Sequence, residues 1–169
     1  MIDAIILAAG QGTRMKSNKA KVLHQLGGKS LLQHVIDAIN PLTTSINIVI
    51  GNDAELVKNS INSHSINWVV QKKQLGTGHA VKQAIPYVKD QSMYLILYGD
   101  VPLIKTSTLK TLISKAKETG FSLLSVIQTD PTGYGRIIRN SNSVIKSVVE
   151  QKDASDKEQE IREINTGIM

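Results

Sequence analysis

The chain contains no cysteine. That absence excludes disulfides and thiolate chemistry, and it agrees with a cytoplasmic location. Aromatic residues make up only 4% of the sequence, too few for the stacking platforms of single-strand nucleic-acid binders. No apolar stretch approaches the ~20 residues of a membrane span. The N-terminus carries Asp3 and only a short apolar run, unlike a secretory signal. His24, His34, His64 and His79 show no zinc-ligand spacing, and no Ser-His-Asp or Cys-His nucleophile set can be picked out.

What remains is an ordinary globular composition, 41% hydrophobic and 20% charged over 169 residues. That length supports one domain over 1–169 with a sizeable core. The net charge of +6 raises nucleic-acid binding. The lysines are scattered, however, and the densest group, Lys16, Lys19 and Lys21, belongs to a glycine-rich stretch. The charge therefore reads as a solvated surface plus one local anion site, and no nucleic-acid partner is expected.

Strand and helix patterns alternate along the chain. Ile2–Leu7, Ile46–Ile50, Ile66–Val70, Met93–Tyr98 and Phe121–Ile127 are apolar runs of strand length. Between them, Leu32, Val35, Ile36 and Ile39 recur at helical spacing behind Ser30, a residue type suited to capping. Asp53–Ile61, Gly78–Val88 and Thr106–Lys117 are further helix candidates. The rhythm predicts an α/β fold, a Rossmann-like, mainly parallel sheet with helices on both faces. After residue 130 the texture changes to a small β-hairpin insertion, Arg136–Arg139 and Val144–Val149 around Asn140–Ser143. Lys152–Glu163 is charged and nearly devoid of apolar residues, and a new strand opens at Asn165 where the chain stops.

In parallel sheets of this type ligands sit at the carboxyl ends of strands, so those positions carry the functional reading. The first strand runs into Leu7-Ala8-Ala9-Gly10-Gln11-Gly12-Thr13-Arg14-Met15, followed by Lys21. Glycines there allow a sharp turn and close backbone approach, successive N–H groups make an anion-binding concavity, and Arg14 and Lys21 add two cations. The stretch suits a polyphosphate. It is not a dinucleotide fingerprint, whose third glycine is replaced by Met15, and no window matches a Walker loop. The third strand leads to Gln71 and Gln74-Leu75-Gly76-Thr77-Gly78-His79-Ala80. A glutamine amide offers one acceptor and two donors, which matches the edge of uracil. The fourth leads to Tyr98-Gly99-Asp100, where a carboxylate opposite a basic phosphate loop is suited to Mg²⁺. Read alone, Asp100 is equally a turn residue before Pro102, and Gly133-Tyr134-Gly135-Arg136 is a plain turn.

These blocks, with Lys21-Val22-Leu23-His24, Asp130-Pro131-Thr132-Gly133-Tyr134-Gly135-Arg136 and Glu163-Ile164-Asn165-Thr166-Gly167, occur in an order and spacing that closely resemble the N-acetylglucosamine-1-phosphate uridyltransferase family over essentially the whole chain. The resemblance implies a nucleotidyltransferase acting on UTP and N-acetylglucosamine 1-phosphate with Mg²⁺, releasing UDP-N-acetylglucosamine and pyrophosphate. It implies that Leu7, Ala8, Ala9 and Gly10 wrap the nucleotide, that Gln71, Gly76 and Thr77 hold uracil, and that Arg14 and Lys21 balance phosphate charge. Tyr98, Gly99 and Asp100 would line the ribose and metal region, with Asp100 on the metal, and Gly135, Glu150 and Asn165 would contact the sugar. In that family a left-handed β-helix acetyltransferase half follows and forms homotrimers. That half is absent here, and the family's second protein metal ligand, an asparagine, would lie beyond Met169. The expectation is a C-terminally incomplete uridyltransferase domain. The rival readings are another sugar-1-phosphate nucleotidyltransferase and a non-catalytic nucleotide-binding module.

Overall fold

The computed structural model describes residues 1–10, 12, 17, 19–51, 53–61 and 66–169. Its centre is β1 (Ile2–Ala8), whose interior residues are almost all buried. A strand with apolar residues on both sides needs cover on both sides. After β1 comes a separate short antiparallel pair, β2 (Gln25–Leu26) and β3 (Lys29–Ser30), and β1 itself is set in a parallel sheet with β4 (Ser45–Ile50), β5 (Ile66–Val70) and β6 (Met93–Tyr98), ordered β5-β4-β1-β6. The register sets Ile5 beside Asn47 on one side and Ile96 on the other.

The pleat sorts the side chains. Ala4, Ile6 and Ala8 share a core with Ile46, Ile48, Ile50, Leu95 and Leu97. That face is covered by α1 (Leu31–Ile39), α2 (Ala54–Ser60) and α4 (Thr106–Thr119) through Leu32, Val35, Ile36, Ile39, Val57, Leu109, Leu112 and Ile113. The opposite face, with Ile5, Val49 and Val69, packs on Ala80 and Ala84 of α3 (Thr77–Ala84). Ser30 caps α1 by accepting from the Gln33 N–H at 3.2 Å, a contact of about 1 kcal/mol. α4 stops at Gly120, which takes a left-handed φ of 82°.

At the amino ends of the strands Asp3 is fully buried. Burial opposes its ionisation, but the Lys89 N–H and the hydroxyls of Ser45 and Thr44 outweigh it and hold the carboxyl below the usual range.

The second sheet is antiparallel, ordered β7-β10-β8-β9 from β7 (Ser125–Ile127), β8 (Arg136–Arg139), β9 (Ile145–Val149) and β10 (Glu163–Asn165). Here the expected elements need correction. Only Ser125–Ile127 of the run Phe121–Ile127 is a strand, and it pairs with β10 rather than extending the parallel sheet. Phe121 is 58% exposed, and the Leu124 amide bonds the Ile168 carbonyl at 2.9 Å. The hairpin is therefore part of a four-stranded sheet, not an isolated insertion. The helix expected over 78–88 ends at Ala84 and tightens into a 3-10 turn at Ile85–Tyr87, because Pro86 has no N–H to continue it. Within the charged segment, α5 (Asp156–Gln159) is held by a Ser155–Glu158 capping box instead of an apolar face. The second sheet reaches the first where Met169 and Ile96 exchange backbone bonds of 2.7 and 3.2 Å on the β6 edge.

Arg139 on β8 grips Glu163 on β10 with two bonds of 2.7 and 2.6 Å, and Ser125 on β7 adds a third at 2.6 Å. The Arg139 guanidinium, opposed by partial burial and helped by the Ser125 hydroxyl, lowers the Glu163 carboxyl to about 2. A carboxyl depressed on folding stabilises above its unfolded pKa and stops doing so as pH falls through the folded one. Allowing for solvent screening, the contribution is about 1 kcal/mol. Urea unfolding should therefore show Glu163→Gln less stable by that amount at pH 7, with the difference gone near pH 2. A difference that is constant across this range would assign the effect to packing.

Candidate functional site

The carboxyl ends of β1, β5 and β6 surround a cavity of about 390 Å³, a size that holds a drug-sized ligand. The end of β1 supplies Leu7, Ala8, Ala9 and Gly10 as one wall, continued by Gly12. The small side chains keep the backbone close to the open space. Gly12 is required twice over: its φ is +59°, and a Cβ there would lie 2.9 Å from Cβ of Lys21. Lys21 opens a 3-10 turn whose Val22 and Leu23 are buried, so an apolar anchor leaves its ammonium at the cavity. Arg14 lies outside the described residues.

The β5 side of the cavity carries Gln71, Gln74, Gly76 and Thr77. Gln74 reaches across to β1, where its Nε2 donates to the Ala9 carbonyl at 2.9 Å. Gly51 leaves room for that bridge, since a Cβ there would sit 2.9 Å from both atoms. Gly76, with φ +95°, turns the chain into α3, whose first turn contains no acidic residue.

Gln71 is only 3% exposed, and the sequence expectation for it needs correcting. Its two amide hydrogens are not offered to a ligand. Nε2 lies 2.9 Å from Nδ1 of His79 and 3.4 Å from the Gly76 carbonyl. The acceptor Oε1 remains, and no described residue donates to it.

On the β6 side Tyr98 and Asp100 complete the wall. Asp100 and Lys21, expected to act on a metal and on phosphate respectively, form an ion pair with each other. Gly99 does not line the cavity. A Cβ there would meet Leu32 Cδ1 at 3.1 Å, Val22 Cγ1 at 3.2 Å and Ala8 Cβ at 3.3 Å, and its N–H bonds the Leu7 carbonyl at 2.9 Å. Gly99 thus lets the chain pack closely between its two lining neighbours.

Asn165 ends β10, and Gly135 and Glu150 stand immediately before β8 and immediately after β9, so the three lie outside this cavity but next to one another. The Asn165 N–H donates to the Gly135 carbonyl at 2.8 Å, and a Cβ on Gly135 would be 3.2 Å from Glu150 Oε1. Asn165 Oδ1 accepts from the Gly167 N–H at 2.8 Å, and Gly167, with φ +75°, lies against the Tyr98 ring. Tyr98 is therefore the link between the two groups.

Gly12, read from the sequence as a turn glycine of the phosphate-binding stretch, lines the cavity, and so do Val22, Gln74 and Ala80, to which the sequence assigned no individual role. Gln74 was within reach, because it stands in the same polar loop as Gly76. Arg136 was not. Its side chain is 1% exposed and bonds the Tyr134 carbonyl, Gln151 Oε1 at 2.7 Å and the Gln159 carbonyl at 3.4 Å.

The model of the MobA-like NTP transferase domain matches residues 4–156. The chain is 58% identical over 168 residues to the bifunctional protein GlmU of Vesicomyosocius okutanii subsp. Calyptogena okutanii, covering 99% of this chain and 37% of that protein. The chain thus spans a little over a third of that relative's length. Among solved structures, a UDP-glucose pyrophosphorylase complexed with UDP-glucose superposes with a TM-score of 0.80 at 19% identity, over 98% of this chain and 74% of the other. A manganese complex of Rv0371C from Mycobacterium tuberculosis superposes with a TM-score of 0.57 at 18% identity, over 85% of this chain and 66% of that one. At these identities the superpositions establish the Rossmann-like α/β fold.

Proposed function

The chain belongs to the MobA-like NTP transferase family, and on that premise we propose that it transfers a uridylyl group from UTP to N-acetylglucosamine 1-phosphate, giving UDP-N-acetylglucosamine and pyrophosphate. The observation that carries the reading is the cavity itself, with a buried acceptor at Gln71 on one side and the Lys21–Asp100 pair on the other. Those are the groups a uracil base and a triphosphate require. The likeness to a GlmU protein supports the choice of sugar.

The acceptor phosphate already carries an anionic oxygen, so no general base is needed. That oxygen attacks the α-phosphorus in line. A new P–O bond forms as the bond to the bridging oxygen breaks, and pyrophosphate departs with the electron pair. The protein's task is positioning and charge neutralisation. In this reading Gln71, Gly76 and Thr77 seat the base, and Leu7 to Gly10 follow the nucleotide. Tyr98 and Gly99 shape the ribose side, and Gly135, Glu150 and Asn165 meet the sugar. Lys21 and Arg14 neutralise the phosphates, Lys21 exchanging the Asp100 carboxylate for phosphate oxygens.

The residues fit a divalent ion carried by the nucleotide. Asp100 is a half-buried carboxylate at the cavity, and no cluster of three His, Asp or Glu exists among the described residues. Mg²⁺ characteristically takes one or two carboxylates and completes its shell with phosphates and water. When bound it would supply charge neutralisation on the phosphates, with Asp100 holding it. The manganese complex within the same fold supports divalent-metal use.

Calorimetric titration tests the reading. UTP with Mg²⁺ should bind in a one-to-one complex that is weakened in Asp100→Ala and displaced by UDP-N-acetylglucosamine. Affinity for a nucleic-acid oligomer that falls steeply with salt and is not displaced by UTP would contradict the reading and assign the charge to nucleic-acid binding.

A further inference from the structure

We infer that His79 is a positioning residue that locks the Gln71 amide with only its oxygen toward the cavity, so that the site selects uracil over cytosine by accepting an N3–H. The inference rests on the uridine-nucleotide reading above and adds to it the element that sets base selectivity.

A buried glutamine reads a base reliably only if its amide cannot turn over, because the flipped side chain exchanges an acceptor for a donor. Gln71 is 3% exposed, and its backbone N–H is held by the Ile50 carbonyl at 2.8 Å. Its amide nitrogen has two hydrogens and meets two acceptors, the Gly76 carbonyl at 3.4 Å and His79 Nδ1 at 2.9 Å. Flipping would press Oε1 against the Gly76 carbonyl oxygen and would require a proton on His79 Nδ1. The Gly76 carbonyl can only accept, so the network assigns the amide direction, and with it the histidine tautomer: Nδ1 bare, Nε2 protonated. One helical turn further along α3, Gln83 Nε2 lies 3.4 Å from His79 Nε2, and a half-turn of that amide sets its oxygen to accept the Nε2 proton. The row Gln83–His79–Gln71 thus runs from the helix surface to the cavity and ends on a bare Oε1.

Uracil presents N3–H to such an acceptor. Cytosine presents a lone pair at N3, so its complex sets two acceptors face to face. A site built to hydrogen-bond a group rejects the analogue that lacks it. Without His79 the amide keeps only the long 3.4 Å contact to the Gly76 carbonyl, which is too weak to hold it, so Gln71 is free to rotate and serve either base.

The test is calorimetric titration with UTP and with CTP in the presence of Mg²⁺. The wild-type chain should prefer UTP by roughly 10- to 100-fold. His79→Phe keeps the ring but has no acceptor, and should bring the preference to within about threefold. Asparagine sets an oxygen near the place of Nδ1, so His79→Asn should restore the preference, and pyrophosphate affinity should be equal in all three. A His79→Phe variant that retains the wild-type preference overturns the inference while leaving the uridine reading intact. A wild-type chain without any preference for UTP overturns the uridine reading itself. A second measurement needs no variant: imidazole ¹⁵N shifts at neutral pH should show His79 Nδ1 unprotonated, and a proton on Nδ1 would also overturn the inference.

Discussion

Asp100→Ala and Lys21→Ala are each expected to lower kcat far more than they raise KM for UTP. The ammonium of Lys21 and the carboxylate of Asp100 already face each other at the cavity, so both are in place where phosphate charge shifts during transfer. Interactions that strengthen as charge moves onto the leaving group act on the barrier rather than on ground-state binding. Losing one charge-assisted contact of ~2–4 kcal/mol slows the step by roughly 30- to 1,000-fold. The pair is partly open to solvent, 40% and 26% exposed at its two side chains, so removing either partner costs the fold at most about 1 kcal/mol. Unfolding curves should therefore superpose while the rates diverge. The double variant should lose less than the product of the single losses, because the two groups act as a unit. Steady-state kinetics with pyrophosphate detection measures this. Variants that keep wild-type kcat and lose only UTP affinity would show that the pair binds but does not assist transfer.

The second large effect concerns stability. Arg136→Ala should destabilise by about 3–4 kcal/mol, since it leaves a void and strands two carbonyls, while Gln151 Oε1 keeps only the Gly133 N–H at 3.1 Å. Arg136 is buried, yet every partner it has among the described residues is a neutral oxygen, and its Nε has none. Arg136→Met refills the void but strands the same two carbonyls, so it should recover about 1–2 kcal/mol of that loss and no more. Urea denaturation separates the two variants. Arg136 also binds the Tyr134 carbonyl, next to Gly135, so Arg136→Met should raise KM for the sugar phosphate while leaving UTP binding alone. Equal losses of stability in the two variants would show that the void costs nothing and that the lost guanidinium contacts account for the whole effect.

These two sites mark the boundary of what the sequence reveals. β1 and β4 could be read because strands covered on both faces are written as largely apolar runs, and β6 because its run is apolar throughout. α1 could be read because Leu32, Val35, Ile36 and Ile39 make one stripe, and those four are its buried residues. The lining residues at the strand ends followed from the position of the strands. Phe121 misled because an aromatic followed by apolar residues scores as a strand whether or not it is covered, and here it is exposed. The second sheet was hidden because β7 and β10 are three residues each, too short for a period to show. The Lys21–Asp100 pair joins segments far apart in the chain, the burial of Arg136 depends on Gln151 and Gln159, and the donors of Gln71 are taken up by Gly76 and His79 only through the turn into α3. No local pattern encodes them.

The most direct test of the central claim is a single-turnover reaction with the protein in excess over UTP labelled at the α-phosphate, with Mg²⁺ and N-acetylglucosamine 1-phosphate. The expected result is label in UDP-N-acetylglucosamine with one pyrophosphate released per label transferred, and no release without the sugar phosphate. Bound UTP that passes its label to no sugar 1-phosphate would contradict the account, as would faster transfer from CTP.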